Sequence, residues 1–356
     1  MIRFRLTANQ LTVSRIVLMP VPVALVLTGD RSMQLVAWVL YVIIGITDYF
    51  DGMLARRHGF TRFGRLTDPI ADKIYVALVF IPLAILGLMP GWIMVLVLMR
   101  DPLITALRSL SERYGLPMQT ATLAKYKTAI QMIAGGYILW AGIVPEKAWT
   151  LTAMSITAGL AWFFYVLKWF LRRKLDPRLL TMGGLMSFGL VVRAMCNVHL
   201  TLYIYSLLIL GITWISAWKY LADFASGVGK SARKVGTLTL ILYAAESIVI
   251  PLFALALLFH PSIPVWLPMC IACIELALGA LDNMLTAEGQ SRSTRHVIIK
   301  LSLQAMAAAA FVSAPIMPTL LPGPPLDLPT VAALAFGVVT LLTTVIAFAR
   351  YGPRIL

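Results

Sequence analysis

Acidic residues are scarce in this chain, yet four of them lie together in its first quarter. The sequence has 15 Asp and Glu residues in all, and the clustered four are Asp48, Asp51, Asp68 and Asp72. Within each pair, a spacing of three or four residues places both carboxylates on one helix face. Four carboxylates in a low-dielectric site repel one another and need a cation to stay ionised. Hard oxygen ligands suit Mg²⁺ or Mn²⁺, so the cluster predicts a divalent-metal site.

Small residues and arginines are interleaved with these aspartates. Gly52, Ala55 and Gly64 leave room for a nucleotide pyrophosphate to lie against the backbone. Arg56 and Arg62 can neutralise phosphate oxygens, which predicts a phosphate site beside the metal. The alternative is that the carboxylates are interfacial groups paired with neighbouring arginines, whose side chains extend toward the membrane surface.

The elements that must position these residues are membrane helices. Hydrophobic residues make up 60% of the 356 residues and charged residues 13%, whereas soluble domains carry about a quarter charged residues. The apolar blocks are long enough to cross a bilayer as helices, and they lack the alternation of barrel strands. The sequence predicts an all-α polytopic membrane protein with ten to twelve spans. The candidate spans of the first half are 11–28, 32–47, 72–88, 90–108, 128–144 and 149–168, and those of the second half are 180–196, 200–217, 236–258, 262–284, 299–317 and 328–349. The two aspartate pairs flank the connection between the predicted spans 32–47 and 72–88, which as antiparallel neighbours bring the pairs together.

The net charge of +15 is distributed over helix ends. Basic residues crowd every second loop, while the intervening loops of the first six predicted spans hold only Arg31 and Lys147. By the positive-inside rule, both termini, the basic loops and the aspartates are predicted to be cytoplasmic, most simply at a bacterial inner membrane. The cations form no soluble basic face, which argues against nucleic acid as a partner and favours anionic membrane lipids.

The motif as a whole resembles the signature of the CDP-alcohol phosphotransferase family, D-x2-D-G-x2-A-R-x8-G-x3-D-x3-D. This chain reads Asp48-Tyr-Phe-Asp51-Gly52-Met-Leu-Ala55-Arg56 and then Gly64-Arg-Leu-Thr-Asp68-Pro-Ile-Ala-Asp72. Seven residues rather than eight separate Arg56 from Gly64, so the connecting loop is shorter while both aspartate pairs keep their spacing. The resemblance implies a six-helix catalytic bundle in residues 1–174.

The resemblance also implies a role for each matching residue. In the family, four aspartates hold two divalent ions over the pyrophosphate of a CDP-linked lipid, and the matching residues are Asp48, Asp51, Asp68 and Asp72. Asp72 would in addition accept the proton of the acceptor hydroxyl. The CDP-contacting positions correspond to Gly52, Ala55, Arg56 and Gly64. The implied partners are CDP-diacylglycerol and a polar alcohol.

Further segments resemble the phosphatidylglycerophosphate synthase branch of that family, over residues 7–172. They are Asn9-Gln-Leu-Thr12-Val-Ser-Arg15, Thr61-Arg62-Phe-Gly64, Arg100-Asp101 with Ala106-Leu-Arg108, and Lys125-Tyr-Lys127-Thr128 with Gln131. The chain departs from that branch at Thr67, Asp101 and Ala124, where leucine, glutamate and glycine are usual. The implied acceptor is glycerol 3-phosphate, with its phosphate bound by Arg108, Lys127 and Arg62. Basic residues are also common at cytoplasmic helix ends, so a role in the basic rim is the alternative.

Residues 175–356 form a predicted second membrane domain of about four to six helices. Gly211-Ile-Thr213 parallels Gly45-Ile-Thr47, and Lys300-x3-Gln304 parallels Lys127-x3-Gln131, which favours a degenerate repeat without the aspartates. Because the resemblance implies homodimers, one hypothesis is that this half is a non-catalytic pseudo-protomer in place of a partner chain. The other is a set of unrelated lipid-facing or docking helices.

The leading prediction is transfer of the phosphatidyl group of CDP-diacylglycerol to glycerol 3-phosphate, with release of CMP. The same chemistry with another acceptor, such as phosphatidylglycerol in a cardiolipin synthase, is the first alternative. A cation transporter would use the aspartates to bind its ion and would leave the glycines unexplained. A catalytically impaired regulatory relative would follow from the shortened loop.

Overall fold

The computed structural model describes residues 8–58, 62–114, 124–172, 177–231, 245–261, 263–287, 294–313 and 328–355. These residues are almost entirely helical and include no strand, so the all-α prediction is confirmed. Five helical stretches among them are long and apolar enough to cross a membrane: Asn9–Leu27, Lys147–Leu171, Val198–Ser226, Trp266–Thr286 and Pro329–Tyr351.

The helices of the first half follow the predicted spans closely. They are α1 (Ala8–Leu18), α2 (Pro20–Leu27), α3 (Arg31–His58), α4 (Arg62–Ile85), α5 (Gly91–Tyr114), α6 (Ala124–Ile143) and α7 (Lys147–Arg172). One difference is that the first predicted span, 11–28, consists of two helices. Pro20 has no N–H to continue the ladder of α1, and its fixed φ suits the first position of α2.

The helices of the second half also lie close to predicted spans. They are α8 (Pro177–Met195), α9 (Val198–Ser231), α10 (Ile250–Ala256), α11 (Trp266–Ala287), α12 (Thr294–Ser313) and α13 (Leu328–Ile355). A π-helical turn, Ala245–Val249, precedes α10 and a 3₁₀ turn, Leu257–Phe259, follows it.

Two tyrosines fix the pairing of α3 with α4. Tyr41 Oη donates to the carbonyl of Leu78 at 2.8 Å, and Tyr75 Oη donates to the carbonyl of Tyr41 at 3.0 Å. A Cβ at Gly45 would lie 3.2 Å from Tyr75 Oη, so the absence of a side chain there permits the close approach. These contacts set the antiparallel register in which the last turns of α3 and the first turns of α4 lie at one end of the bundle.

Three connections meet at the opposite end of the first half. Arg31 on α3 pairs with Glu146 before α7, with 2.9 Å between Nη2 and Oε1. Lys147 Nζ donates to the carbonyl of Ala194 at 2.6 Å, and Arg193 Nη2 donates to that of Pro145 at 2.7 Å. The loops after α2, α6 and α8 therefore share one side, as the alternation of basic loops predicts.

The two halves pack against each other extensively. Helix α9 lies against α5 and α6, and α11 lies against α4 and α5, so helices beyond residue 174 line the first-half bundle. Helix α7 instead pairs mainly with α8. The division into domains 1–174 and 175–356 stays a prediction, since these contacts cross it.

Candidate active site

Asp68 and Asp72 lie one turn apart on α4, and α1 supplies a partner to each. Thr12 Oγ1 donates to Asp68 Oδ1 at 2.9 Å, and Arg15 Nη2 donates to Asp72 Oδ1 at 3.2 Å. The Arg15 side chain is 1% exposed and that of Asp72 is 44% exposed. A buried guanidinium therefore anchors a carboxylate that still reaches the outside of the bundle.

Helix α1 reaches these aspartates because it packs against both α3 and α4. Thr12 and Arg15 are three residues apart and Asp68 and Asp72 are four apart, so each pair lies on one face of its helix. The sequence analysis predicts no individual role for Thr12 or Arg15. Both residues belong to the segment 9–15 that resembles the family. Their role could have been inferred from their surroundings, because a Thr and an Arg inside an otherwise apolar run need polar partners.

The remaining predicted metal and CDP residues are placed by their helices. Residues 48–58 form the last turns of α3, and residues 62–64 begin α4, with three residues between the two helices. The backbone therefore brings both parts of the motif to one end of the bundle. Gly64 is buried. The side chains of Asp48, Asp51, Ala55, Arg56 and Arg62, and the surroundings of Gly52, lie outside the described part of the structure, so their roles stay predictions.

The donor set of α4 fits a hard divalent cation. Asp68 and Asp72 present carboxylate oxygens from one helix face, which is the ligand type that such ions prefer. Among the described side chains, which do not include Asp48 and Asp51, no three acidic, His or Cys residues lie close enough to hold a metal. The prediction that Asp48 and Asp51 complete the site concerns side chains outside that part of the structure.

A partly buried carboxylate on α5, that of Asp101, bonds two neighbouring cations. Asp101 Oδ1 accepts from Arg100 Nη1 at 2.8 Å and from Lys127 Nζ at 2.6 Å. Lys73 Nζ donates to Thr105 Oγ1 at 2.7 Å, and Thr105 Oγ1 donates to the Asp101 carbonyl at 2.7 Å. The sequence marks Asp101 as a departure from glutamate and predicts no counter-ion role for it.

The cation cluster, defined as Lys73, Arg100, Arg108 and Lys127, adjoins the aspartate pair. Lys73 directly follows Asp72 on α4 and donates to Thr105 on α5, one turn from Asp101, which Lys127 bonds. Among the described side chains, Asp101 is the carboxylate bonded within the cluster, which leaves an excess of positive charge over its four basic members. Such a site attracts an anion with more than one negative charge.

The predicted acceptor residues occupy two different settings in this cluster. Lys127 is buried and bonded to Asp101, so part of its charge is already compensated. Arg108 is only partly buried, and its Nη2 lies 3.4 Å from Tyr220 Oη on α9. The structure thus places Arg108 and Lys127 in one cluster and gives each a partner that the sequence does not indicate.

Helix α9 of the second half forms one side of the cluster. Gln131 Nε2 on α6 donates to Thr213 Oγ1 at 2.9 Å, and Arg100 Nη2 on α5 donates to Ser216 Oγ at 3.2 Å. An aspartate pair suited to a metal ion thus lies beside cations suited to a charged second molecule. This arrangement can bind two anionic phosphate compounds next to each other.

The same stretch of sequence matches a known family. The family model for CDP-alcohol phosphatidyltransferase matches residues 5–170. The chain is 32% identical over 173 residues to the CDP-diacylglycerol–glycerol-3-phosphate 3-phosphatidyltransferase of Rickettsia bellii (strain RML369-C), covering 46% of this chain and 96% of that protein. The chain belongs to the CDP-alcohol phosphatidyltransferase family. The resemblance deduced from the aspartate motif is therefore confirmed.

Other members of the CDP-alcohol phosphatidyltransferase family are similar over the same half. A probable phosphatidylglycerophosphate synthase of Mycobacterium tuberculosis (strain ATCC 25618 / H37Rv) is 39% identical over 133 residues, or 36% of this chain. The match spans 63% of the length of that relative. The CDP-diacylglycerol–glycerol-3-phosphate 3-phosphatidyltransferase of Bacillus subtilis (strain 168) is 28% identical over 183 residues, covering 45% of this chain and 94% of that protein. No solved structure matches the chain significantly.

Membership in the CDP-alcohol phosphatidyltransferase family agrees with the chemistry of the site. Divalent-cation dependence is general in the family, and Asp68 and Asp72 are ligands of the required kind. The family and the apolar helices together make this chain an integral membrane protein. The aspartate pair and the cation cluster both fall within residues 5–170, whereas α9 lies beyond them.

Proposed function

We propose that this chain transfers the phosphatidyl group of CDP-diacylglycerol to glycerol 3-phosphate, giving phosphatidylglycerophosphate and CMP. The observation that carries the proposal is the cation cluster beside Asp72, because an acceptor with a dianionic phosphate needs such a site and a neutral alcohol does not. The activity named for the relatives from Rickettsia bellii and Bacillus subtilis supports the same acceptor.

The binding site for CDP-diacylglycerol is assigned to the aspartate motif of α3 and α4. Asp48, Asp51, Asp68 and Asp72 would hold two divalent ions, Mg²⁺ or Mn²⁺, and the CDP moiety would lie against Gly52, Ala55, Arg56 and Gly64. When bound, the ions would stabilise negative charge on the β-phosphoryl group and on the departing CMP. Arg15, which bonds Asp72, and Thr12, which bonds Asp68, would hold these two carboxylates in their orientations.

The reaction is an in-line displacement at the β-phosphorus of CDP-diacylglycerol. A hydroxyl oxygen of the acceptor forms a new bond to that phosphorus, and its proton passes to Asp72. The bond from the β-phosphorus to the bridging oxygen breaks, and CMP leaves with the electron pair. The 44% exposure of the Asp72 side chain is compatible with access by a soluble acceptor.

The acceptor phosphate is assigned to Arg108 and Lys127, with Arg62 as a third candidate. Arg108 offers a planar fork of donors that fits two phosphate oxygens. Lys127 bonds Asp101 at 2.6 Å, and Lys73 of the same cluster directly follows Asp72 on α4, so a phosphate bound in the cluster would lie near the proton acceptor.

The site is assigned to the cytoplasmic side of a bacterial inner membrane, with both chain termini on that side. The crowding of basic residues in every second loop supports this orientation. The loops after α2, α6 and α8 contact one another at the opposite end of the first half, and this arrangement is consistent with the proposed orientation.

The second half is proposed to replace a partner protomer, giving an intramolecular pseudo-dimer with one active site. The packing of α11 against α4 and α5 supports this arrangement, because it covers the same helices that carry the site. The mass of the detergent-solubilised protein tests it. A single chain per particle is expected, and a homodimer joined through the first half would contradict the pseudo-dimer.

The reaction itself is tested by CMP release from CDP-diacylglycerol with the purified full chain and a panel of acceptors. Release is expected with glycerol 3-phosphate and to be lost when a chelator removes divalent ions. Preferential use of phosphatidylglycerol would instead make the protein a cardiolipin synthase. Ion flux without CMP release would make it a transporter, and inactivity with every acceptor would favour a regulatory relative.

A further inference from the structure

Helix α9 presents a row of polar residues to the cation cluster. Thr213, Ser216 and Tyr220 are three or four residues apart, so they lie on one helix face. All three are buried, and Tyr220 is 2% exposed. A buried polar row on an otherwise apolar membrane helix is costly unless its members bind partners, and the partners here are side chains of α5 and α6.

The ring of Tyr220 lies against two arginines of α5. The guanidinium carbon of Arg108 is 5.6 Å from the ring centroid, and that of Arg100 is 6.0 Å away. Ile104, halfway between them on the same helix face, packs against Ala217 and Tyr220. The negative face of an aromatic ring attracts cations, so one ring stabilises two like charges that would otherwise repel.

Hydrogen bonds from the same helix fix the directions of both guanidinium groups. Arg108 Nη2 lies 3.4 Å from Tyr220 Oη, and Arg100 Nη2 donates to Ser216 Oγ at 3.2 Å. Ser216 Oγ in turn donates to the carbonyl of Thr213 at 2.7 Å, which orients its lone pairs toward Arg100. The buried Nε of Arg100 has no acceptor among the described residues, so this arginine retains a donor for an anion.

We propose that Tyr220 and Ser216 are positioning residues of the acceptor site. They hold Arg108 and Arg100 in the orientation that binds the acceptor phosphate, so the second half of the chain supplies one wall of the active site. The inference rests on the proposed function, since it assigns the phosphate of glycerol 3-phosphate to this cluster. It goes further by giving the part of the chain beyond residue 174 a role in acceptor affinity.

The test compares KM values for the two substrates in full-length variants. Tyr220→Leu removes the ring and the hydroxyl, and it is expected to raise the KM for glycerol 3-phosphate about tenfold. Tyr220→Phe keeps the ring and loses the hydroxyl, and Ser216→Ala loses one bond to Arg100; each is expected to raise that KM about threefold. The KM for CDP-diacylglycerol should stay within about twofold in all three.

Tyr205 provides a matched control on the same helix. It is as buried as Tyr220, but its ring lies against Tyr137, with 6.0 Å between ring centroids, rather than against an arginine. Tyr205→Leu should lower the yield of folded protein without a selective change in the KM for glycerol 3-phosphate. A selective rise in Tyr205→Leu, or equal rises for both substrates in the Tyr220 variants, would overturn the inference.

The variants also separate this inference from the proposed function. An active wild type whose KM for glycerol 3-phosphate is unchanged by Tyr220→Phe and Ser216→Ala would overturn the positioning role alone. These two mild variants decide the matter even where Tyr220→Leu does not fold. A wild type that releases no CMP with glycerol 3-phosphate would overturn the proposed function and the inference with it.

Discussion

Two polar networks in the molecule, one centred on α6 and the other on α12, are built from the same types of residue. In the first half, Lys127 Nζ bonds Asp101 Oδ1 at 2.6 Å, and Gln131 one turn later bonds Thr213 at 2.9 Å. Both lysine and glutamine lie on α6, and each reaches a different helix. The network therefore ties α6 to α5 on one side and to α9 on the other.

The second half repeats this arrangement on α11, α12 and α13. Lys300 Nζ bonds Glu275 Oε2 at 2.7 Å, and Gln304 one turn later bonds Thr340 Oγ1 at 2.7 Å and Glu275 Oε1 at 2.8 Å. Lys300 is 2% exposed and Glu275 is 4% exposed. The lysine bonds a carboxylate and the glutamine a threonine in both networks, although Thr213 lies on α9, beyond residue 174. The degenerate repeat stays a prediction.

The two networks differ in the charges around them. Arg100 precedes Asp101 and Arg108 follows it by seven residues, whereas Ile274 precedes Glu275 and Asp282 follows it by seven. The second network thus keeps the lysine, glutamine and carboxylate and lacks the two arginines. The comparison teaches that the shared residues join helices. The two arginines occur in the first network and not at the corresponding positions of the second, as expected if they bind the proposed acceptor phosphate.

The largest expected difference between the halves concerns single aspartates. Asp72→Asn removes the proposed proton acceptor and a metal ligand, and it should lower kcat for CMP release by about a thousandfold. Asp282→Asn, the same change in the second half, should leave kcat within about twofold. Initial rates at saturating substrates measure both. Comparable losses in the two variants would show that the second half takes part in the chemistry.

The second-largest expected effect is that of replacing Arg108. In the second network, Asp282 occupies the corresponding position, seven residues after the carboxylate. Arg108→Ala should raise the KM for glycerol 3-phosphate about a hundredfold, because a charged fork of hydrogen bonds to phosphate is lost. Arg108→Lys keeps the charge without the planar fork and should recover part of the affinity. If Arg108→Ala changed the KM of CDP-diacylglycerol instead, Arg108 would belong to the donor site.

A stability effect without a catalytic one is expected in the second network. Glu275→Gln leaves Lys300 buried without its counter-charge, which should cost about 3 kcal/mol of folding free energy and lower the thermal midpoint. The double variant Glu275→Leu/Lys300→Met removes both charges and should regain most of that loss. Thermal unfolding in detergent and CMP release per folded molecule measure the two properties. A selective loss of acceptor affinity in Glu275→Gln would contradict the purely structural role.

The smallest effect is expected at the exposed pair far from both networks. A hydrogen bond to its own backbone and one from Arg31 lower the pKa of Glu146 below its usual value of 4.5. Any stabilisation is therefore present above that value and is lost as the pH falls through the lowered pKa. Because the pair is solvent-exposed, Glu146→Gln should shift the thermal midpoint at pH 7 by no more than about 1 °C. A larger shift would show that this end of the bundle contributes substantially to stability.

The helices were largely predictable because membrane spans are long, continuous apolar runs. The spacing of Asp68 and Asp72 likewise predicts a shared helix face, since the period of a helix is fixed. The split of the first span follows from Pro20, which interrupts the apolar run in the sequence although the segment was predicted as one helix.

The partners of the site residues were not predictable from local patterns. Thr12 lies 56 residues from Asp68, and Arg100 lies 116 residues from Ser216. Such contacts depend on which helices pack together, and hydrophobic periodicity does not specify the neighbour. The counter-ion role of Asp101 also depends on packing, because Lys127 reaches it from another helix.

The covalent connection of α9 to the catalytic half has a quantitative consequence. Contacts such as Arg108 with Tyr220 form within one polypeptide, so their effective concentration is set by the connecting chain and not by the abundance of the protein. If a separate subunit supplied this side of the site, its contacts would be lost on dilution in the bilayer. In this protein, α9 and the catalytic half are present in a one-to-one ratio at any expression level. Specific activity should therefore be independent of the amount of enzyme in the membrane.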